Sequence, residues 1–243
     1  MSSSKQLDKL KFIAKKSISN YFEIYQSVAL LVPLLEDENL FQSWKGTPGI
    51  DAVSSLQWTL YMSIIADMRA LLFDTDDRVA SLANVIKPLV NTHLIEQLRA
   101  DFCDPPGIQV GGHDEDPALK ALVKKQIQEG HIKSKKQEFD ELVPRCQKCF
   151  KEIKESDLGR RVENARNKLI AHNEMRTDNG ERRSYNPKDF GLKWGDAQEV
   201  VLAAKKLVFD INLLINNSSY DVDGFRKILD DRAKHFWERV ERA

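Results

Sequence analysis

Arg166 and His172 stand six positions apart in the run Arg-Asn-Lys-Leu-Ile-Ala-His-Asn, residues 166–173. These residue types suit RNA cleavage without a metal. In that reaction the ribose 2′-hydroxyl attacks the neighbouring phosphorus, so one group must take a proton, another must return one, and positive charge must meet the phosphorane. Histidine titrates near neutral pH and can do either proton transfer. Arginine stays cationic and offers a fork of donors to non-bridging oxygens. Asn167 and Asn173 can donate hydrogen bonds without adding charge. The plainer alternative is that His172 packs at the edge of an apolar stripe, or satisfies the carbonyl end of a helix.

The spacing predicts a helix over about 156–173, with Ser156 and Asp157 available to cap it. At about 100° per residue, Leu158, Val162, Ala165 and Leu169 make a narrow apolar stripe, with His172 on one border and Arg166 on the other. The two borders are about 120° apart, too wide for both side chains to grip one phosphate easily. Two such stripes packed about a twofold axis would bring two Arg/His sets to one cleft. Alternatively, His172 leaves the helix as it frays toward Arg176-Thr177-Asp178.

The rest of the chain is patterned for helices. Leu7, Leu10, Ala14, Ile18, Tyr21, Tyr25, Val28 and Val32 follow the helical period until Pro33 and the acidic 36–38 run end or kink the element. Val53, Leu56, Leu60, Ile64, Met68, Leu71 and Leu72 form a second stripe. Tyr61 and Ile65 are apolar flanks that predict a central helix, and Asp74-Thr75-Asp76-Asp77 closes it. A pattern over 79–102 breaks near Pro88. Residues 118–156 are interrupted near Gly130 and Pro144, which predicts an accessory helical hairpin over 118–150. A stripe from Ala197 to Ile215 and a charged helix over 222–242 complete the set. Residues 104–117 and 176–187 read as loops. We expect one all-α helical bundle over 1–243.

Other candidate residues are weaker. Lys120, Lys124, Lys125, His131, Lys133, Lys135 and Lys136 form a basic run, which is either a solvated helix face or an RNA footprint. Of these, Lys124, Lys125, Lys133 and Lys136 are the expected RNA contacts, with Arg182 and Arg183 beside Tyr185 as a second set. Cys146 and Cys149 lack the second ligand pair of a zinc site, and Cys103 stands alone. His113-Asp114-Glu115-Asp116 lies in a Pro/Gly loop and reads as a solvated turn. Gly-Ile-Gln-Val-Gly-Gly lacks the Lys-Ser/Thr of a phosphate loop. No metal and no cofactor is expected. Lys plus Arg equals Asp plus Glu at 37 each, which removes a whole-protein argument for steering nucleic acid. No apolar run approaches the roughly 20 residues that cross a bilayer, and the N-terminus has no signal-peptide pattern, so the expected location is cytoplasmic.

Arg-Asn-x4-His within Arg-Asn-Lys-Leu-Ile-Ala-His-Asn resembles the R-x(4–6)-H signature of HEPN domains. Residues 64–89, IIADMRALLFDTDDRVASLANVIKPL, resemble the central helix and its continuation in the abortive-infection U-type branch of that family, and so does the preceding FQSWKGTPGIDAV. The resemblance covers roughly 5–100 and 155–215. It implies a HEPN-like all-α bundle, a homodimer, and metal-independent endoribonuclease activity in a toxin or phage-defence effector. Carried over, Arg166 and His172 are the catalytic pair and Asn167 is the polar residue beside the arginine. An antitoxin protein is then a conceivable partner. Some toxin members carry a modified tyrosine two positions after the histidine; this chain has Glu174 there, without the residue that route uses. The rival readings are a non-catalytic helical module binding a partner protein or nucleotide, and a structural bundle with Arg166 and His172 as buried spacers.

Overall fold

The computed structural model describes residues 3–104, 117–165, 175–178, 181–184 and 187–240. Among them, helices α1 (Ser3–Glu36), α2 (Glu38–Ser43), α3 (Ile50–Phe73), α4 (Leu82–Ile86), α5 (Thr92–Cys103), α6 (Pro117–Glu155) and α7 (Asp157–Ala165) precede a two-stranded hairpin. Strands β1 (Met175–Asp178) and β2 (Glu181–Ser184) make up that hairpin, and α8 (Asp196–Asn216) and α9 (Val222–Val240) follow. Short 3₁₀ turns occupy Lys87–Val90 and Pro187–Phe190. The all-α reading holds.

Burial explains the arrangement. α1 carries buried side chains every turn, from Leu10 through Ala14, Ile18, Tyr21 and Tyr25 to Val28. α8 is buried along one whole face, from Ala197 to Ile215. These two stripes pack on each other, and α3 and α9 close over α1. Each large apolar side chain removed from water contributes about 1.5–3 kcal/mol. The face shared by α1 and α8 is therefore the bundle's main source of cohesion. Polar ties fix α9 in place. Tyr25 donates its hydroxyl to Asp230 at 3.0 Å, and the Trp237 indole donates to the Leu30 carbonyl at 3.1 Å. Burial pushes the Tyr21 hydroxyl up to about 12.

Local breaks fall where capping chemistry puts them. α1 passes through Pro33 and ends at Glu36, and Asp37 then caps α2 by accepting from the Asn39 and Leu40 amides. α3 stops before Asp74. The turn around Pro88 separates α4 from α5, which Asn91 caps.

Three expectations need correction. Residues 118–150 do not form a hairpin: α6 is a single helix of 39 residues. Its C-terminal half buries Phe139, Leu142, Val143, Cys146 and Ile153, and Arg145 holds Asp210 through two nitrogens at 2.8 and 3.1 Å. That packing overrides the cost of Pro144, while exposed Gly130 costs a helix only about 1 kcal/mol. Second, the 176–187 loop contains the β1–β2 hairpin, paired antiparallel with Arg176 opposite Arg183 and Thr177 opposite Arg182. Third, only the C-terminal half of α3 is central, since Leu56 and Trp58 near its start are exposed.

α6 hands over to α7 at a tight corner. The Ser156 hydroxyl accepts from the Gly159 amide at 3.0 Å, as the capping expectation requires. A Cβ at Gly159 would lie 2.1 Å from the Ile153 carbonyl oxygen, whereas one at Gly130 would meet nothing within 4 Å. Gly159→Ala is therefore expected to lower stability by about 1–3 kcal/mol. Gly130→Ala should be neutral or raise stability by up to about 1 kcal/mol. Urea midpoints of the two variants check this pair; equal midpoints would contradict the corner's geometry.

Candidate active site

The expected catalytic residues, Arg166, Asn167 and His172, lie outside the described residues, which include the elements that lead into and flank that segment. α7 ends at Ala165, immediately before Arg166. Val162 and Ala165 are fully buried and belong to the main core, with Leu158 packed against it. Their neighbours are α3, α6 and α8 of the same chain. Val162 and Ala165 are thus sealed within the protomer and are not free to pair across a twofold axis, as the 158/162/165/169 stripe is expected to; Leu169 lies outside the described residues.

One ion pair fixes α7 against α8. Arg161 on α7 sends Nε to Asp196 Oδ2 at 2.9 Å and Nη2 to Oδ1 at 2.7 Å. Asp196, at the first turn of α8, is 1% exposed. The Lys193 amide donates to the same carboxylate at 3.1 Å. The carboxylate holds the Arg161 guanidinium firmly protonated. Asp196 also sits at a helix N-terminus, where negative charge is favoured. Gly191, in the left-handed region at φ 67°, lets the turn after Phe190 come close to the Arg161 stem.

An aromatic cluster adjoins this brace. Tyr61 on α3 is 2% exposed and donates its hydroxyl to the Lys193 carbonyl at 3.0 Å. Burial raises its pKa. Trp194 meets the Tyr61 ring edge-on with centroids 4.8 Å apart, and Trp58 meets Trp194 at 6.1 Å and 83°. Sequence reading missed Arg161, Asp196 and this cluster. The available signals were an arginine five positions before Arg166 and a Trp-Gly-Asp start to α8.

The other predicted residues are dispersed. Lys124, Lys125, Lys133 and Lys136 are all exposed on α6. Lys136 lies 19 positions before Glu155 and Lys124 lies 31, about 28 and 47 Å up the helix axis at roughly 1.5 Å per residue. Within one protomer the run is therefore tens of ångströms from the α6–α7 corner. Lys135 is used internally, 4.9 Å over the Phe102 ring and 2.8 Å from Glu138. Arg182 and Arg183 are on β2. Cys146 is buried in the core, its thiol pushed up to about 12 by burial, and Cys149 packs beside it. Both behave as apolar residues on α6. Among the described residues no group of three or more His, Cys, Asp or Glu side chains is placed to hold a metal. The 107–112 glycine run and His113–Asp116 lie outside the described residues. No described helix is long and apolar enough to cross a membrane.

The helical bundle, with a short helix braced against its core just before an Arg-x5-His run, is consistent with a HEPN-like fold. The family model for AbiU2, a HEPN family, matches residues 6–236, and the chain belongs to that family. The match points to an abortive-infection or toxin role. No curated protein and no solved structure matches the chain.

The brace makes a prediction about stability. Arg161→Ala would strand a buried carboxylate, and breaking such a pair from one side costs about 3–5 kcal/mol. Asp196→Asn should cost less, since an amide oxygen still accepts from the guanidinium. Thermal unfolding of the two variants measures the order. Equal, small losses would mean that the pair does not hold α7.

Proposed function

We propose that this chain is a metal-independent endoribonuclease that acts as a toxin or phage-defence effector. The observation that carries this reading is the AbiU2 match across 6–236. That span holds both Arg166 and His172, the two groups the chemistry needs. The geometry supports it, since α7 is buried and braced up to Ala165, the residue before Arg166.

The proposed reaction is an internal transfer. A base removes the proton of a ribose 2′-hydroxyl, and the 2′-oxygen bonds to the adjacent phosphorus. The P–O5′ bond breaks, and an acid returns a proton to the 5′-oxygen. The products are a 2′,3′-cyclic phosphate and a free 5′-hydroxyl. Arg166 neutralises charge on the non-bridging oxygens, where electrostatic stabilisation is often the largest single contribution. His172 serves as base or acid, and Asn167 orients the phosphate by hydrogen bonding. The motif supplies a single histidine, and a twofold homodimer would supply the second. That dimer must use a surface other than the buried Val162 and Ala165. RNA extending along α6 would meet Lys136, Lys133, Lys125 and Lys124 in turn, and Arg182 and Arg183 are the second proposed set of contacts.

Arg166→Ala and His172→Ala are each expected to remove RNA cleavage, by about 10²–10⁴ in rate, and to relieve any growth inhibition on expression. Asn167→Ala should lose less. All three should melt as the wild type does, because the roles are charge and proton transfer. Folded variants with full activity would reject the site, and variants that unfold would make the pair structural.

A further inference from the structure

The aromatic cluster beside the brace has no role in the proposed cleavage chemistry, yet two of its indoles stand partly in water on fixed supports. Trp58 and Trp194 are each 43% exposed. Leaving two indoles in water forgoes burial of the largest apolar side chains available. Neither is loose. Trp194 rests on buried Tyr61, whose hydroxyl is tied to the backbone of Lys193, and Trp58 is 6.1 Å from both rings. Trp58 and Trp194 meet edge to face, so their contact takes up at most one face of one ring.

The surroundings separate the candidate occupants. One turn back from Trp58, α3 exposes Ser54 and Ser55, and next to Trp194 in the chain Lys193 is exposed. Exposed rings with serines one helical turn away and a lysine adjacent in the chain match the stacked bases and backbone of a single strand, since base–aromatic stacking tolerates any sequence and cations track the phosphates. A protein partner would favour a continuous apolar surround at the patch centre. Position agrees: Trp194 is two residues before Asp196, which grips the helix that delivers Arg166.

We propose that Trp58 and Trp194 form a base-stacking platform that takes unpaired nucleotides of RNA and leads the strand toward the Arg166–His172 segment. This rests on the ribonuclease reading for its second half only; the binding half stands separately. The platform selects single-stranded over duplex RNA, because bases stacked inside a helix cannot reach the rings.

The test uses the full chain carrying His172→Ala, so that bound RNA persists, with Trp58→Ala, Trp194→Ala and Trp58→Phe added singly. Each is titrated with an unstructured 12-nucleotide RNA and with the same sequence as duplex. Melting curves and light scattering are recorded for every variant. The expected result is a loss of single-strand affinity of about 5- to 100-fold for each alanine. Trp58→Phe should lose less, and duplex binding should stay weak and unchanged. Trp58→Phe, which keeps a ring, remains informative if an alanine variant misfolds: affinity equal to Trp58→Ala would overturn stacking. Folded alanine variants with unaltered single-strand affinity overturn the platform, and so does a changed oligomeric state with unaltered RNA affinity, which would make the patch a protein contact. Parallel cleavage assays on a His172-containing chain keep the two claims apart. RNA binding through the tryptophans without cleavage supports the platform and removes the ribonuclease. Cleavage with KM unchanged in folded Trp58→Ala and Trp194→Ala does the reverse.

Discussion

Arg161 and Asp196 are 35 positions apart in the chain, and their two-point contact decides where the Arg166 segment begins. A carboxylate as buried as Asp196 has no water to lean on, so it must find donors inside the protein. It finds three: two guanidinium nitrogens and the Lys193 amide. The fork of Arg161 fixes orientation as well as distance, which a lysine would not do. α7 spans only 9 residues, too few to be stable alone. It persists because Val162 and Ala165 are sealed in the core on one side and Arg161 is clamped on another. The clamp reaches α8, whose buried face is the centre of the bundle. The last described turn before Arg166 is therefore rigid with the core.

Rigidity at that point matters for the proposed chemistry. Reacting groups must be held close to productive geometry, and small displacements far from the reaction are costly. The tight Ser156–Gly159 corner serves the same end from the other side, since it ties the start of α7 to the end of α6. Tyr61 ties α3 to the Lys193 carbonyl, beside the Asp196 end of the brace. α3, α6 and α8 all pack on α7, the short helix that ends one residue before Arg166.

The fold was legible where packing and periodicity agree. The α1 and α8 stripes are buried almost residue for residue, and Ser156, Asp74 and Pro88 mark real boundaries. Failures occurred where long-range packing overruled a local signal. Pro144 reads as a break, but the buried run from Phe139 to Ile153 carries α6 through it. The β hairpin has no apolar alternation, because its strands read Met-Arg-Thr-Asp and Glu-Arg-Arg-Ser. Its signal was the Asn179-Gly180 pair between the strands, the dipeptide best suited to a two-residue hairpin turn. The 158/162/165/169 stripe reads as a seam, but a periodic pattern names no partner, and for Leu158, Val162 and Ala165 the partner is the chain's own core. Arg166 and His172 draw notice by residue type and lie outside the described residues, while the brace was not legible, since nothing local links Arg161 to Asp196.

The chemistry of the cut ends tests the central claim most directly. Purified chain incubated with RNA in excess chelator is expected to give defined fragments ending in 2′,3′-cyclic phosphate and beginning with 5′-hydroxyl. A single 2′-deoxy substitution at a mapped cleavage position should abolish that cut, because the attacking oxygen is gone. Fragments bearing 5′-phosphate, continued cutting at the 2′-deoxy position, or no cleavage until a divalent cation is added would contradict the assignment of Arg166 and His172 to metal-independent transfer.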